Sequence, residues 1–336
     1  MSAQPWEAEQ TGEAEPLVSF VVLSYNFEAF LPECLASILA QRGGYPFEVV
    51  VVDDASTDGT AALLGAFDDP RIRVIRHTQN LGHARTVEDG LHAARGRYVA
   101  RIDGDDRYRP DFLEMVVPIL ERHPEVGLVY GDAALIDAAG RETAPCTDTA
   151  HGGRDFKGNE LVALLECNFI CAPTVIARRE AWRAALPVPS FLAFHDWYFT
   201  LSIARTYAFY YVHRVLADYR VHGSNMHART IRDRTEVPSI FWMLDKVYAE
   251  SEADPALERA KQAARRQVYG RHCVTYADKY FGVGYDGEAR RLYLDALRYR
   301  PAYALNAGLL RRLAATFIGR ARYERAKGLL RAQLTS

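Results

Sequence analysis

Short apolar runs alternate with helix-spaced segments through the first third of the chain, and each run stops at a polar cluster. Residues 18–23 are the first run, apolar and β-rich throughout, as expected of a strand covered on both faces. It ends at Ser24, Tyr25 and Asn26. Residues 31–41 have helical spacing with Pro32 in the first turn. Residues 47–52 form the second run and stop at Asp53 and Asp54. Residues 60–67 read as helix, 72–75 as strand and 86–94 as helix. A run closing on Tyr98, Val99 and Ala100 then leads into Arg101, Ile102, Asp103, Gly104, Asp105 and Asp106. Strands alternating with helices predict an α/β fold with a parallel sheet built from right-handed crossover units. Ligands of such sheets sit beyond the carboxyl ends of the strands. The clusters at Tyr25, at Asp53 and Asp54, and at Asp103 to Asp106 are therefore expected to meet in one crevice.

Beyond Asp106 the pattern loosens. Residues 112–122 read as helix, 127–130 and 133–136 as two strands, and 140–158, rich in turn residues, as a mobile loop. Residues 161–165 are a helical piece, 174–177 extended and 179–185 helical. His195, Asp196 and Trp197 open a helix that runs to about residue 206, with the acid in the first turn, where the helix dipole favours it. Residues 207–212 and 215–219 read as two strands, ending at Arg220, Val221 and His222. From about residue 230 the signal is helical. The expected organisation is a disordered tail (1–16), an α/β domain (17–228) and a helical C-terminal region (229–336).

Composition narrows the function classes. The 336 residues are 49% hydrophobic, enough for a real core, and a net charge of -2 gives no global pull toward nucleic acid. The charge is uneven, however: residues 290–331 hold eleven Arg or Lys against two acids, interleaved with Leu309, Leu310, Leu313 and Phe317. That segment could lie on an anionic membrane or dock a partner, or it could be a helical cap with a solvated basic face. The start, with Glu7, Glu9, Glu13 and Glu15, lacks the basic and apolar regions of a signal peptide. No stretch is apolar for long enough to cross a bilayer, so a cytoplasmic protein, at most peripheral on the membrane, is expected. Five scattered cysteines fit a reducing compartment. Cys167 and Cys171 lack a second soft pair nearby and read as thiols, not as zinc ligands.

The carboxylates Asp103, Asp105 and Asp106 would repel one another unless a cation sat among them; the other reading is a solvated acidic turn. Two other α/β classes fit poorly. The first strand ends in Ser24-Tyr25-Asn26-Phe27 and not in Gly-x-Gly-x-x-Gly, so a dinucleotide phosphate cradle is missing. A signalling receiver module would use only about a third of this length.

Four motifs in this order carry a family resemblance: Val18 to Val22 leading to Tyr25 and Asn26; Val51-Val52-Asp53-Asp54-Ala55-Ser56-Thr57-Asp58-Gly59-Thr60; Asn80-Leu81-Gly82 with Ala84 and Arg85; and Asp103-Gly104-Asp105-Asp106. Together they resemble the nucleotide-sugar half of glycosyltransferase family 2, closely over residues 16–106 and more loosely to about residue 222. The resemblance implies a GT-A fold, with a Rossmann-like, mostly parallel sheet. It also implies inverting transfer of a sugar from a nucleoside-diphosphate donor, UDP by default, to a hydroxyl of a glycan or lipid-linked glycan. A divalent cation, Mn or Mg, would assist.

The site roles follow from the same resemblance. Tyr25 would lie against the nucleobase, Asp54 or Asp53 would accept from the base imide, and Arg85 would brace the base or these carboxylates. Asp103 and Asp105 resemble the family's Asp-x-Asp, for ribose and cation, with Asp106 able to replace either. His222 resembles the late histidine of the metal shell. The family usually shows Glu then Asp at the start of the acceptor-side helix, where this chain has His195 then Asp196. Asp196 is the expected general base, and His195 would orient it or share the proton. The loop at 143–158, with the helical piece after it, would close over or select the acceptor. The His195 departure leaves a second class open, a sugar-nucleotide-binding protein without catalysis.

Overall fold

The computed structural model describes residues 15–146, 150–223, 233–320, 322, 323 and 325. The expected tail lies outside these residues, apart from its last two. By its contacts the chain divides into two units, Met1–Glu160 with Asn168–Met226, and Leu161–Cys167 with His227–Ser336.

The first unit is built on a ten-stranded sheet. Its strands are β1 (Val18–Ser24), β2 (Phe47–Asp53), β3 (Ile72–Arg76), β4 (Tyr98–Asp103), β5 (Arg107–Tyr108), β6 (Val126–Ile136), β7 (Glu142–Cys146), β8 (Phe156–Gly158), β9 (Ile176–Arg178) and β10 (Ala208–Arg220). They lie in the order β3-β2-β1-β4-β9-β6-β10-β5, with β7 on β6 and β8 on β10. The first four are parallel, as are β6 and β10, while β9 runs antiparallel between β4 and β6. The helices of this unit are α1 (Leu31–Leu39), α2 (Thr60–Gly65), α3 (His83–Ala93), α4 (Phe112–Arg122), α6 (Arg179–Ala184) and α7 (His195–Ala204); α5 (Leu161–Glu166) belongs to the other unit.

Both faces of the parallel strands are covered, which is why their sequences do not alternate. Phe20, Val22, Val49 and Val51 pack with Leu31, Leu35 and Ile38 of α1 and with Phe112, Val116 and Leu120 of α4. On the opposite face α3 comes so close that a Cβ at Gly90 would stand 2.4 Å from Val21 Cγ1, so only glycine fits there. β1 sits between β2 and β4, the point where the strand order reverses, and such a switch point opens a crevice beyond the strand ends.

Two sequence readings are corrected by the sheet. Gly131-Asp132 looks like a turn between two strands, but β6 runs through it: Asp132 is buried and accepts from the Tyr211 hydroxyl at 2.8 Å. His213-Arg214 likewise does not end a strand; β10 continues past it by a register shift between Val212 and Val215. The segment at 140–158, read as a mobile loop, supplies β7 and β8 to the sheet, with residues 147–149 outside the described residues.

The second unit is helical. It holds α5, α8 (Glu236–Ala249), α9 (Pro255–Gly282), α10 (Asp286–Tyr299), a short 3-10 turn at Pro301–Leu305, and α11 (Ala307–Ile318). Asp254 caps α9 by accepting from Ala256 N at 2.8 Å, and Pro255 occupies its first turn. Lys261, fully buried, donates to Glu252 and to the Val247 and Glu250 carbonyls and pairs with Glu258, so its charge is matched. The four cysteines with described side chains, Cys34, Cys167, Cys171 and Cys273, are free thiols.

Candidate active site

Parallel register brings the polar clusters level. Ser24 at the end of β1 pairs with Asp53 at the end of β2, and Leu23 pairs with Asp103 at the end of β4. The loops beyond β1 and β2 are clasped together. Asn26, at a left-handed φ of 57°, accepts from Thr57 N at 2.7 Å and donates its own N–H to Ser56 Oγ at 2.9 Å. Glu28 and Asp58 exchange with this pair of loops, Glu28 N donating to Asp58 and Gly59 N donating to Glu28. Tyr25 stands beside this clasp with 42% of its surface exposed.

Asp53 and Asp54 are both buried and differ in use. Asp53 accepts from the Ser56 backbone and hydroxyl, and Arg76 lies 3.3 Å from its other oxygen. Asp54 holds the loop that precedes α3, accepting from Leu81 N at 2.7 Å, from Gly82 N at 2.9 Å and pairing with His77 at 2.7 Å. His77 also reaches Asp89, and Asp89 is where Arg85 binds, at 2.8 and 2.9 Å. Arg85 thus connects to Asp54 through two intervening side chains.

At the end of β4 the three carboxylates go separate ways. Asp103, half-buried, faces Arg101 at 3.7 Å and His83 at 3.4 Å. Burial opposes its ionisation, but these two neighbours outweigh it and hold the carboxyl well below the usual range. Asp105 meets His222 Nε2 at 2.9 Å. Burial and the Asp103 charge push its carboxyl up, against the pull of His222. Asp106 is 1% exposed and accepts from Arg220 N at 2.7 Å; burial and the charges of Asp105 and Asp103 push it well up. One Asp106 oxygen thus fastens this turn to the end of β10, while the other, Oδ2, is buried without a hydrogen-bond partner among the described residues.

Arg220 completes that fastening. Its guanidinium is buried and donates to the Asp105 carbonyl at 2.6 Å, to the Asp137 and Ala138 carbonyls at 3.1 and 3.3 Å, and to Glu33. A planar five-donor fork suits four acceptors in different directions, which a lysine could not serve.

The expected base and its neighbour stand at the start of α7. Asp196, in its first turn, accepts from Asn168 Nδ2 at 3.0 Å. His195 is 6% exposed and touches His83 through their Nδ1 atoms at 2.9 Å, with the rings nearly parallel. Burial, then His83 and Arg101, bring the His195 pKa down to about 3, so its ring is neutral at pH 7. His83 therefore bridges Asp103 on the donor side to His195 beside Asp196. Sequence reading missed His83, Arg101, Asn168, His77 and the buried role of Arg220. Only Arg101 and Arg220, charged residues inside apolar strands, left a signal.

Among the described residues no group of three or more His, Cys, Asp or Glu side chains is arranged to enclose a metal ion. The donor set still suits a hard divalent cation. Such ions are commonly held by one or two carboxylates plus substrate phosphates and not by all-protein cages. Asp105 and His222 already converge, and the Asp103 charge, which after burial raises Asp105, is what a cation would offset.

Residues 19–183 match the model of "Glycosyl transferase family 2". The chain carries a glycosyltransferase family 2 domain. The succinoglycan biosynthesis protein ExoO of Rhizobium meliloti is 45% identical over 102 residues, 30% of this chain and 29% of ExoO. S. aureus TarS 1-349, solved with UDP-GlcNAc, superposes with a TM-score of 0.66 at 17% identity, covering 92% of each chain. The mannosyltransferase PcManGT of Pyrobaculum calidifontis, solved with GDP-Man and Mn2+, gives a TM-score of 0.56 at 22% identity, covering 94% of this chain and 90% of its own. These likenesses establish the fold, and the GT-A sheet expected from the motifs is the one described above. Asp196, His195, Arg220 and His222 of the glycosyltransferase lie beyond the matched stretch.

Proposed function

We propose that this glycosyltransferase moves a sugar from a nucleoside-diphosphate sugar, UDP favoured, to a hydroxyl of a glycan or lipid-linked glycan, with inversion. The observation that carries the reading is the level ending of β1, β2 and β4 at the switch point, which gathers Tyr25, Asp53 and Asp103 at one edge. TarS bound to UDP-GlcNAc, PcManGT bound to GDP-Man, and ExoO, named for polysaccharide biosynthesis, support the donor and acceptor classes. Tyr25, whose ring is exposed, would lie against the base, Asp53, with one oxygen toward Arg76, would accept from the base imide, and Asp103 would bind the ribose. Asp105 and His222 would hold the cation, which when bound offsets charge on the departing diphosphate. Asp196 takes the acceptor proton. With its pKa near 3, His195 is a weak proton acceptor, and its part is to position α7. The cytoplasm is the proposed place of work.

Thermal unfolding with UDP, GDP, dTDP and CDP, each with and without manganese, tests the donor side. A ligand at about 100 times its Kd stabilises the folded state by roughly 2.7 kcal/mol, or roughly 5 to 10 °C in a unit of this size. The expected result is a UDP shift that grows with manganese and shrinks in Asp105→Ala. No shift with any nucleotide would remove the donor assignment. Nucleotide binding without turnover on a broad acceptor panel would favour a non-catalytic sugar-nucleotide binder.

His83→Ala tests the link from Asp103 to His195. It frees His195 and is expected to lower kcat roughly 10- to 100-fold by misplacing the start of α7. His83→Gln, which keeps a polar link, should recover part of that loss in a nucleoside-diphosphate release assay.

A further inference from the structure

The last two helices of the second unit show solvent the kind of side chain that helices usually hide. On α11 the inward residues are Leu309, Ala315 and Thr316. Its exposed residues include Ala307, Leu310, Arg311, Ala314, Phe317 and Ile318, whose spacing of three and four places them on one helix face. Leu310 is 39% exposed, Phe317 65% and Ile318 51%, and Leu305 just before the helix is 90% exposed. Arg290 braces Phe317 from behind, its guanidinium 4.1 Å from the ring centroid and hydrogen-bonded to Thr316. On α10 the exposed Leu294 stands between exposed Arg291 and Arg298, three residues before it and four after. Residues 289–320 hold seven arginines and a single acid, Asp295, which pairs with Arg298.

We propose that this face docks on the surface of an anionic phospholipid bilayer. The inference concerns where the protein works and holds whether or not the donor assignment does. Leu305, Leu310, Phe317 and Ile318 would enter the boundary between headgroups and acyl chains, and Arg291, Arg298 and Arg311 would meet lipid phosphates. Charge decides between this occupant and a second copy of the chain. A two-fold interface sets a patch against itself, which here would oppose arginine to arginine, whereas an anionic lipid surface complements them. Among the described residues no helix is long and apolar enough to cross a membrane, so the contact is with one leaflet.

The test is co-sedimentation of the full chain with vesicles of phosphatidylcholine alone and of phosphatidylcholine with phosphatidylglycerol. Binding to the anionic vesicles should be at least about tenfold stronger and should fall with added salt, as screened charge attraction does. The double variant Phe317→Ser/Ile318→Ser, and separately Leu310→Ser, should lose most of that binding. Their thermal midpoint and nucleotide shift should not change, because the altered side chains are exposed. Equal binding to both vesicle types, binding to neither, or binding unchanged in the variants would overturn the proposal. So would a concentration-dependent dimer that the same variants abolish.

Discussion

Asp196→Asn is expected to lower kcat by about 10²- to 10⁴-fold, the usual contribution of a general base, while leaving donor affinity near its original value. The substitution keeps volume and shape. The new amide can turn its oxygen to Asn168 Nδ2, which now donates to Asp196 at 3.0 Å, so α7 should start as before. What is lost is the capacity to take a proton from the acceptor hydroxyl. A steady-state assay of nucleoside-diphosphate release with an acceptor present, beside donor binding by calorimetry, separates the two effects. Loss of binding together with turnover would mean that Asp196 shapes the donor site. Full turnover would pass the base role to another group.

Arg220→Ala should give the largest loss of stability. The guanidinium is 1% exposed and serves Glu33 and three backbone carbonyls, of Asp105, Asp137 and Ala138. Truncating one member of a buried charged network typically costs about 3–5 kcal/mol, or roughly 10 °C in thermal midpoint for a unit of this size. Glu33 keeps a partner in Arg107, so the loss falls mainly on the carbonyls. The Asp105 carbonyl is among them, and the turn that presents Asp105 to His222 should loosen. Donor affinity in the presence of manganese should therefore fall further than the stability loss alone explains, and Arg220→Lys should rescue little, because a point charge cannot fork. A variant with unchanged midpoint and unchanged binding would show that the network is dispensable.

Much of the donor half was legible along the chain because its strands are short, buried on both faces and punctuated by polar clusters. The apolar runs at β1, β2 and β4 set the strands, and parallel register then levels Ser24, Asp53 and Asp103 with no further choice. Turn-like pairs inside a strand were not legible. Gly131-Asp132 and His213-Arg214 carry turn chemistry, yet Tyr211 and a register shift absorb them into β6 and β10.

The alternation of elements, the α/β class and the placing of acids at strand ends could be read along the chain, since these follow from local apolarity and from where it stops. Folding alone chose the partner of each acid: Asp106 accepts from Arg220 N, and Asp105 meets His222 and receives the Arg220 guanidinium on its carbonyl, 115 residues along the chain. His83 came to link Asp103 to His195 only when folding brought it to His195, 112 residues along. The apolar face of α11 was likewise undecided in sequence, because apolar residues on more than one side of the helix do not say which side will be covered. The physical reason is the same in each case. A side chain's role is set by the partners that fold around it, and partners separated by a hundred residues leave no local pattern.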